Sequence, residues 1–251
     1  MSLIDLPSPN FNERKGPPDM VVLHYTGMRT AKGALDRLCD PAAEVSAHYC
    51  VDEDGSVYRL VPEERRAWHA GVSSWKGESD INGVSIGVEI VNPGHEFGYR
   101  DFPVAQIDAV IGLLDAVRGR WDIPDHRILG HSDVAPARKE DPGEKFPWAV
   151  LADHRHGLWV IPDVPPGNVM GLPLGLGDTG LGVFSLQGAL GKFGYDILPG
   201  GPYDDETAAI VTAFQRHWLP DQVGTDLQGR ADARLRVTLM ALLRHVTLLE
   251  A

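Results

Sequence analysis

Several common functional signatures are scarce or missing in this chain of 251 residues. Its two cysteines, Cys39 and Cys50, are too few for a disulfide framework and are too far apart for a CxxC metal motif. No run approaches the roughly 20 apolar residues of a membrane span. Glycine-rich loops of the kind that hold nucleotide phosphates are also missing, which argues against a nucleotide cofactor.

Basic residues are few relative to acidic ones. The chain has 23 lysines and arginines against 35 aspartates and glutamates, a net charge of -12. This charge opposes contact with nucleic-acid phosphates and with anionic lipid surfaces. We therefore expect no nucleic-acid partner, and no motif implies a protein partner.

The amino terminus lacks the pattern of a secretion signal. Its residues, MSLIDLPSPNFNERKGPPD, have neither a basic start nor a continuous apolar core. We expect a cytoplasmic protein on this ground. If a leader has been removed from the natural chain, the expected location is instead the periplasm or the outer membrane, held there by an anchor.

Short apolar segments alternate with helical patterns in the first 156 residues. Strands are predicted at Met20–Tyr25, Ser46–Asp52, Ser56–Val61, Val84–Val91 and Arg127–Gly130. Apolar residues at helical spacing predict helices at Thr30–Leu38 and Val104–Trp121. The alternation predicts an α/β domain, a mixed central sheet flanked by helices.

Glycine and proline become frequent after this region. They are dense between residues 157 and 182, a composition that breaks helices and predicts a linker. Three helical patterns follow, and they predict a small three-helix domain. The expected organisation is a catalytic domain at 1–156, a linker at 157–182 and a helical domain at 183–251.

Three residues form a candidate metal site. His131 follows a predicted strand, and Asp141 comes ten residues later, directly before Pro142 and Gly143. His24 lies inside an apolar strand, where an imidazole needs a polar partner. Each of the three taken singly has an ordinary structural explanation. Together, two histidines and a carboxylate leave a tetrahedral zinc with one open position, as in catalytic sites.

Four motifs, in chain order, carry a family resemblance: VVLHYTG, VSAHYCVDEDGSVYRLVPEERRAWHAG, NGVSIGVEI and GHSDVAPARKEDPG. They resemble the zinc-dependent N-acetylmuramoyl-L-alanine amidases of the type-2 amidase family. The later segment FSLQGALGKFGYDILPGGPYDDETAAIVTAFQRHW resembles the helical peptidoglycan-binding domain often appended to such enzymes.

The resemblance implies both a cofactor and a reaction. The cofactor is Zn²⁺, held by His24, His131 and Asp141. The reaction is hydrolysis of the amide between the lactyl group of N-acetylmuramic acid and L-alanine of the stem peptide. Peptidoglycan or muropeptide fragments are the implied binding partners, in cell-wall turnover or recycling.

The resemblance also implies roles for Glu89 and Lys139 at the reacting centre. Glu89 lies among apolar strand residues, so its carboxylate needs a cation, a donor or a raised pKa, and a general base fits these conditions. Lys139 precedes Asp141 by two residues, which places both side chains on one side of an extended loop. Family members commonly have glycine in place of Ala137, so the loop that presents Lys139 is expected to follow a slightly different path.

Weaker signals suggest substrate contacts. Trp68 could form an apolar wall, His69 could donate a hydrogen bond, and Asn82 could bond a peptide group. Trp68 fits a core position equally well, and we interpret His48 as a structural imidazole. Two other functions stay open at this point: a non-catalytic peptidoglycan-recognition module of the same fold, and a zinc hydrolase acting on another amide or ester.

Overall fold

The computed structural model describes residues 3–162 and 171–249. The strands are β1 (Leu3–Asp5), β2 (Phe11–Glu13), β3 (Met20–Tyr25), β4 (Tyr49–Val51), β5 (Val57–Arg59), β6 (Arg65–Ala67), β7 (Ser85–Ile90) and β8 (Ile128–Gly130). The α-helices are α1 (Ala31–Cys39), α2 (Ile81–Val84), α3 (Gly94–Phe97), α4 (Val104–Arg118), α5 (His131–Val134), α6 (Trp148–Asp153), α7 (Leu181–Phe193), α8 (Asp205–Trp218) and α9 (Ala233–Leu249).

The main sheet is mixed, as the sequence predicts. Its six strands follow the order β1-β5-β4-β7-β3-β8. Strand β3 is parallel to both β7 and β8, β4 is also parallel to β7, and β4 pairs with β5 in the antiparallel sense. The carboxyl ends of β3, β7 and β8 therefore meet at one edge of the sheet.

The two faces of the sheet pack against different helices. Alternate residues of a strand point to opposite faces. Val21 and Leu23 of β3 share a buried cluster with apolar residues of α4. Met20 and Val22 belong to another cluster, which also contains residues of α7, α8 and α9. The carboxy-terminal helices therefore cover one face of the main sheet and share a core with it.

The predicted linker is only partly within the described residues, since residues 163–170 lie outside them. Leu158, at its start, is buried in the core shared with the helices, and its carbonyl accepts a hydrogen bond from Trp218 Nε1 at 3.0 Å. Leu174 pairs with Ala231 in an isolated bridge, and α7 already begins at Leu181. The segment is therefore packed against the rest of the chain at Leu158 and Leu174, whereas Ile161, Leu172 and Leu176 are exposed.

The predicted elements agree with the structure in kind, and several differ in extent. Strand β3 has the predicted bounds, whereas the second predicted strand narrows to Tyr49–Val51. The short strands β1, β2 and β6 were not predicted. Among residues 3–162 and 171–249, no helix has the length and apolar character needed to cross a membrane.

Candidate metal centre and active site

The three candidate ligands converge at the edge where the parallel strands end. His24 is the fifth residue of β3, His131 begins α5 directly after β8, and Asp141 lies on the loop that follows. All three are buried. Nδ1 of His24 lies 2.9 Å from Nδ1 of His131 and 3.1 Å from Oδ2 of Asp141. Nδ1 of His131 lies 3.0 Å from the same Oδ2, so the three atoms form a nearly equilateral triangle.

The other nitrogen of His131 fixes its tautomer. Nε2 lies 3.0 Å from the carbonyl oxygen of Ala70, which can only accept a hydrogen bond. Nε2 of the neutral ring is therefore protonated, and Nδ1 carries a lone pair toward the triangle.

A chain of hydrogen bonds fixes the tautomer of His24 in the same way. The hydroxyl of Ser85 donates to the carbonyl of Ile81 at 2.5 Å, so its oxygen accepts from Nε2 of His69 at 3.2 Å. Nδ1 of His69 is then unprotonated and accepts from Nε2 of His24 at 3.0 Å. Nδ1 of His24 is left with a lone pair that also faces the triangle.

This donor set fits a divalent metal ion. In these tautomers two imidazole lone pairs and a carboxylate oxygen face one another, an arrangement that a divalent cation would stabilise. Zinc ligands lie about 2.0–2.1 Å from the metal, so neighbouring corners of a tetrahedron are roughly 3.3 Å apart, close to the edges of this triangle. A hydrogen bond from the second nitrogen of each histidine is the usual support for such ligands.

The protonation states also suit metal binding. Burial, reinforced by His131, lowers the pKa of His24 to about 4. Burial alone would raise the pKa of Asp141, but the adjacent His131 and His24 hold that pKa below its ordinary value. Neutral imidazole and ionised carboxylate are the forms that coordinate metals.

A cavity of about 320 Å³ opens over the triangle. Its wall includes Glu89, which is the register partner of His24 on the neighbouring strand β7. Oε2 of Glu89 is buried and has no hydrogen-bond partner among the described residues. Burial, followed by the charge of Asp141, raises the pKa of Glu89 well above its ordinary value, and Lys139 opposes this shift.

Comparison with known proteins identifies the family. Residues 14–144 match the family model described as N-acetylmuramoyl-L-alanine amidase. The amidase AmiD of Escherichia coli K12 is 35% identical over 236 residues, which cover 89% of this chain and 82% of AmiD. The chain belongs to the N-acetylmuramoyl-L-alanine amidase family.

Solved structures of relatives agree with this assignment. AmiD from E. coli, in complex with the substrate anhydro-N-acetylmuramic acid-L-Ala-D-γ-Glu-L-Lys, has a TM-score of 0.75 at 31% identity and covers 94% of this chain and 98% of its own. AmpDh3 from Pseudomonas aeruginosa has a TM-score of 0.73 at 29% identity, with 92% of both chains covered. The match to AmiD spans the carboxy-terminal helices as well as the catalytic sheet.

In the amidase, Lys139 lies in the lining of the cavity over the candidate metal site. Lys139 and Asp141 both line it. The preceding turn is anchored by Arg138, whose Nη2 donates to the carbonyls of Ala70 and Val72 at 2.7 Å each. Sequence reasoning missed Arg138, since an arginine in a charged run has no distinguishing context. Ala70 thus receives hydrogen bonds from both His131 and Arg138.

The residues suggested for substrate contact differ in their position relative to the cavity. Trp68 is partly exposed and lines the cavity, and its Nε1 donates to Asn12 at 3.1 Å. His69 also borders the cavity, but both of its ring nitrogens are engaged by His24 and Ser85. Asn82 is buried, and its Oδ1 accepts from the backbone N–H groups of His69 and Ala70. The structure therefore places Trp68 in the cavity wall, whereas His69 contacts the candidate ligand His24 and Asn82 holds the backbone of His69 and Ala70.

Proposed function

We propose that this amidase is a zinc enzyme in which His24, His131 and Asp141 hold the metal. The observation that carries the proposal is the convergence of three lone-pair donors whose tautomers are fixed by hydrogen bonds behind them. The bond cleaved is the amide between the lactyl group of N-acetylmuramic acid and L-alanine. Zinc bound there acts as a Lewis acid that activates water and polarises the amide carbonyl.

The chain's own residues supply the proton transfers and part of the charge stabilisation. The carboxylate of Glu89 faces the cavity, and burial raises its pKa toward the range in which a general base accepts and returns protons. Glu89 takes the proton of the attacking water and delivers it to the leaving nitrogen of L-alanine. The ammonium of Lys139 at the cavity rim stabilises the negative charge that develops on the carbonyl oxygen.

The test combines a metal measurement with a product measurement. The full chain is incubated with anhydro-N-acetylmuramic acid-L-Ala-D-γ-Glu-L-Lys and, separately, with sacculi, and mass spectrometry follows release of peptides with a free L-alanine amino terminus. We expect one zinc per chain and cleavage at this bond. The His131→Ala variant should lose both zinc and cleavage. Binding of the muropeptide without cleavage would identify a recognition protein instead.

We also propose that residues 183–251 act as a peptidoglycan-binding unit. A groove between α7 and α9 is lined by exposed Met240 and Leu248, with Lys192 and Arg244 beside them, a combination suited to the acidic stem peptides of peptidoglycan. Deleting the unit would expose the core shared with the sheet, so a surface substitution is the better probe. Met240→Glu should weaken binding to sacculi and leave cleavage of the soluble muropeptide unchanged. Equal binding to sacculi by the variant and the wild type would contradict this role of the groove.

A further inference from the structure

The carboxy-terminal helices contact the polypeptide that carries the metal ligands. Asp133 is fully buried and lies two residues after His131 in the short helix α5. Nδ1 of His217, on α8, donates to Oδ2 of Asp133 at 2.7 Å. The hydroxyl of Tyr195, which follows α7, donates to Oδ1 at 3.2 Å. Two side chains of the helical unit therefore bind one carboxylate beside a metal ligand.

Asp133 transmits this contact to the start of α5. Its Oδ2 also accepts a hydrogen bond from the backbone N–H of Gly130 at 2.8 Å. Gly130 ends β8 and immediately precedes His131, so this bond caps the helix at the ligand itself. The position of the His131 backbone thus depends on where the carboxylate of Asp133 is held.

Neighbouring aromatic rings hold the imidazole of His217 rigidly. It stacks on Trp148 with ring centroids 3.7 Å apart and planes at 17°, and on Trp218 at 3.7 Å and 2°. The side chain is buried and has little freedom to move away from Asp133. A donor fixed in this way orients its acceptor, just as outer hydrogen-bond partners orient metal ligands.

The preceding residue of α8 makes a second connection. Nη2 of Arg216 lies 2.8 Å from Oε1 of Glu140, which is the residue between Lys139 and Asp141. Two consecutive residues of α8 therefore contact two ligand-bearing segments. One segment is the start of α5, which carries His131, and the other is the loop that carries Asp141.

We propose that the helical unit is a structural part of the metal centre, with His217 and Arg216 as positioning residues for His131 and Asp141. The inference rests on the metal site of the proposed function. It extends that function by giving the helical unit a second role. Besides binding substrate, the unit sets the geometry of the metal site and therefore its affinity for zinc.

The test measures zinc affinity by competition with a chelator, in the full-length protein. His217→Phe keeps an aromatic ring between Trp148 and Trp218 but removes the donor to Asp133, so we expect zinc affinity to fall by about tenfold. His217→Asn places an amide N–H close to the position of Nδ1 and should restore most of the affinity. The visible spectrum of bound Co²⁺ should change in the first variant and return toward that of the wild type in the second.

A matched control separates positioning from loss of stability. Gln187 is buried and bonds to Pro202, Thr207 and Gly200, all within the helical unit. Gln187→Leu should lower the melting temperature and leave zinc affinity unchanged. If His217→Phe does not fold, Tyr195→Phe removes the other donor to Asp133 more gently and should weaken zinc binding several-fold.

The outcomes distinguish this inference from the proposed function. Failure of the wild type to bind zinc would refute the metal site itself. A wild type that binds zinc, together with a folded His217→Phe or Tyr195→Phe variant of equal affinity, would refute only the positioning role. An equal loss of zinc affinity in Gln187→Leu and His217→Phe would show that the effect is general destabilisation, and it would also refute the positioning role.

Discussion

A methyl group added at Gly87 tests how far the metal site depends on the hydrogen-bond chain behind His24. Gly87 lies on β7, between Ser85 and Glu89, on the face of the sheet that carries His24. A Cβ at this position would lie 2.4 Å from Cγ of His69, whereas ordinary contacts are 3.4–4 Å. The imidazole would have to move by about 1 Å to restore normal contact.

Little space is available for that movement. The ring of His69 has the ring of His24 on one side, with centroids 5.1 Å apart, and the ring of His48 nearby at 5.9 Å. Overpacking of this kind typically costs about 1–3 kcal/mol of folding free energy. Loss of the hydrogen bond between His69 and His24 should also weaken zinc binding by about 10–100-fold, the usual effect of removing an outer partner of a ligand.

The assay is urea denaturation of the zinc-free protein, paired with chelator competition for zinc. Gly112→Ala is a suitable control, because it adds a methyl group in α4 where, beyond the helix's own backbone and the two chain neighbours, no atom of the described residues lies within 4 Å. That control should be stabilised by roughly 0.5–1 kcal/mol, as expected for alanine in a helix. The reasoning would be refuted if Gly87→Ala kept wild-type zinc affinity and lost less than about 0.5 kcal/mol of stability.

Two further predictions concern Glu89 and His48. Glu89→Gln keeps the shape of the side chain but cannot accept a proton, so turnover should fall by about 10²–10⁴ while zinc stays bound. Glu144→Gln, outside the cavity wall, is the isosteric control, and equal loss of zinc and activity in Glu89→Gln would make Glu89 structural. Burial lowers the pKa of His48 to about 3. Between pH 6.5 and 3 the unfolded chain therefore binds a proton that the folded chain does not. As the pH is lowered through this range, the free energy of unfolding should fall by up to about 1.4 kcal/mol per pH unit. His48→Asn, compared with the wild type by urea denaturation at several pH values, should show a shallower dependence, and an unchanged slope would contradict this.

The sequence predicted the candidate ligands because the three occur together, although each taken singly has an ordinary structural explanation. His24 interrupts an apolar strand, and Asp141 precedes a proline and a glycine. Gly87 carried a signal that the sequence analysis did not use, since glycine inside a strand often marks a close approach by another group. The fold class was likewise predictable from the alternation of strands and helices, whereas strands of three residues, such as β1, carry too little periodicity.

The contact between α8 and the metal site could not be predicted from the sequence. His217 and Asp133 are 84 residues apart, and nothing in either local sequence specifies the other. In an amphipathic helix His217 resembles an ordinary interfacial residue, and Asp133 resembles a simple helix cap. Their pairing follows from how the helical unit packs on the sheet, a property of tertiary structure alone.

The wide spacing of the ligands has a consequence for how the protein folds. His24 is separated from His131 by 107 residues, and the two meet only when β3 and β8 lie side by side in the sheet. Closing so long a loop has a large entropic cost, which is offset only when the sheet and its covering helices assemble. An unfolded chain therefore has no preformed ligand cluster, and the proposed zinc should bind essentially the native state. Free zinc at 100 times its dissociation constant then adds about 2.7 kcal/mol to the free energy of unfolding. We expect the ligands to meet after the main folding barrier, so that zinc bound at this site would mainly slow unfolding.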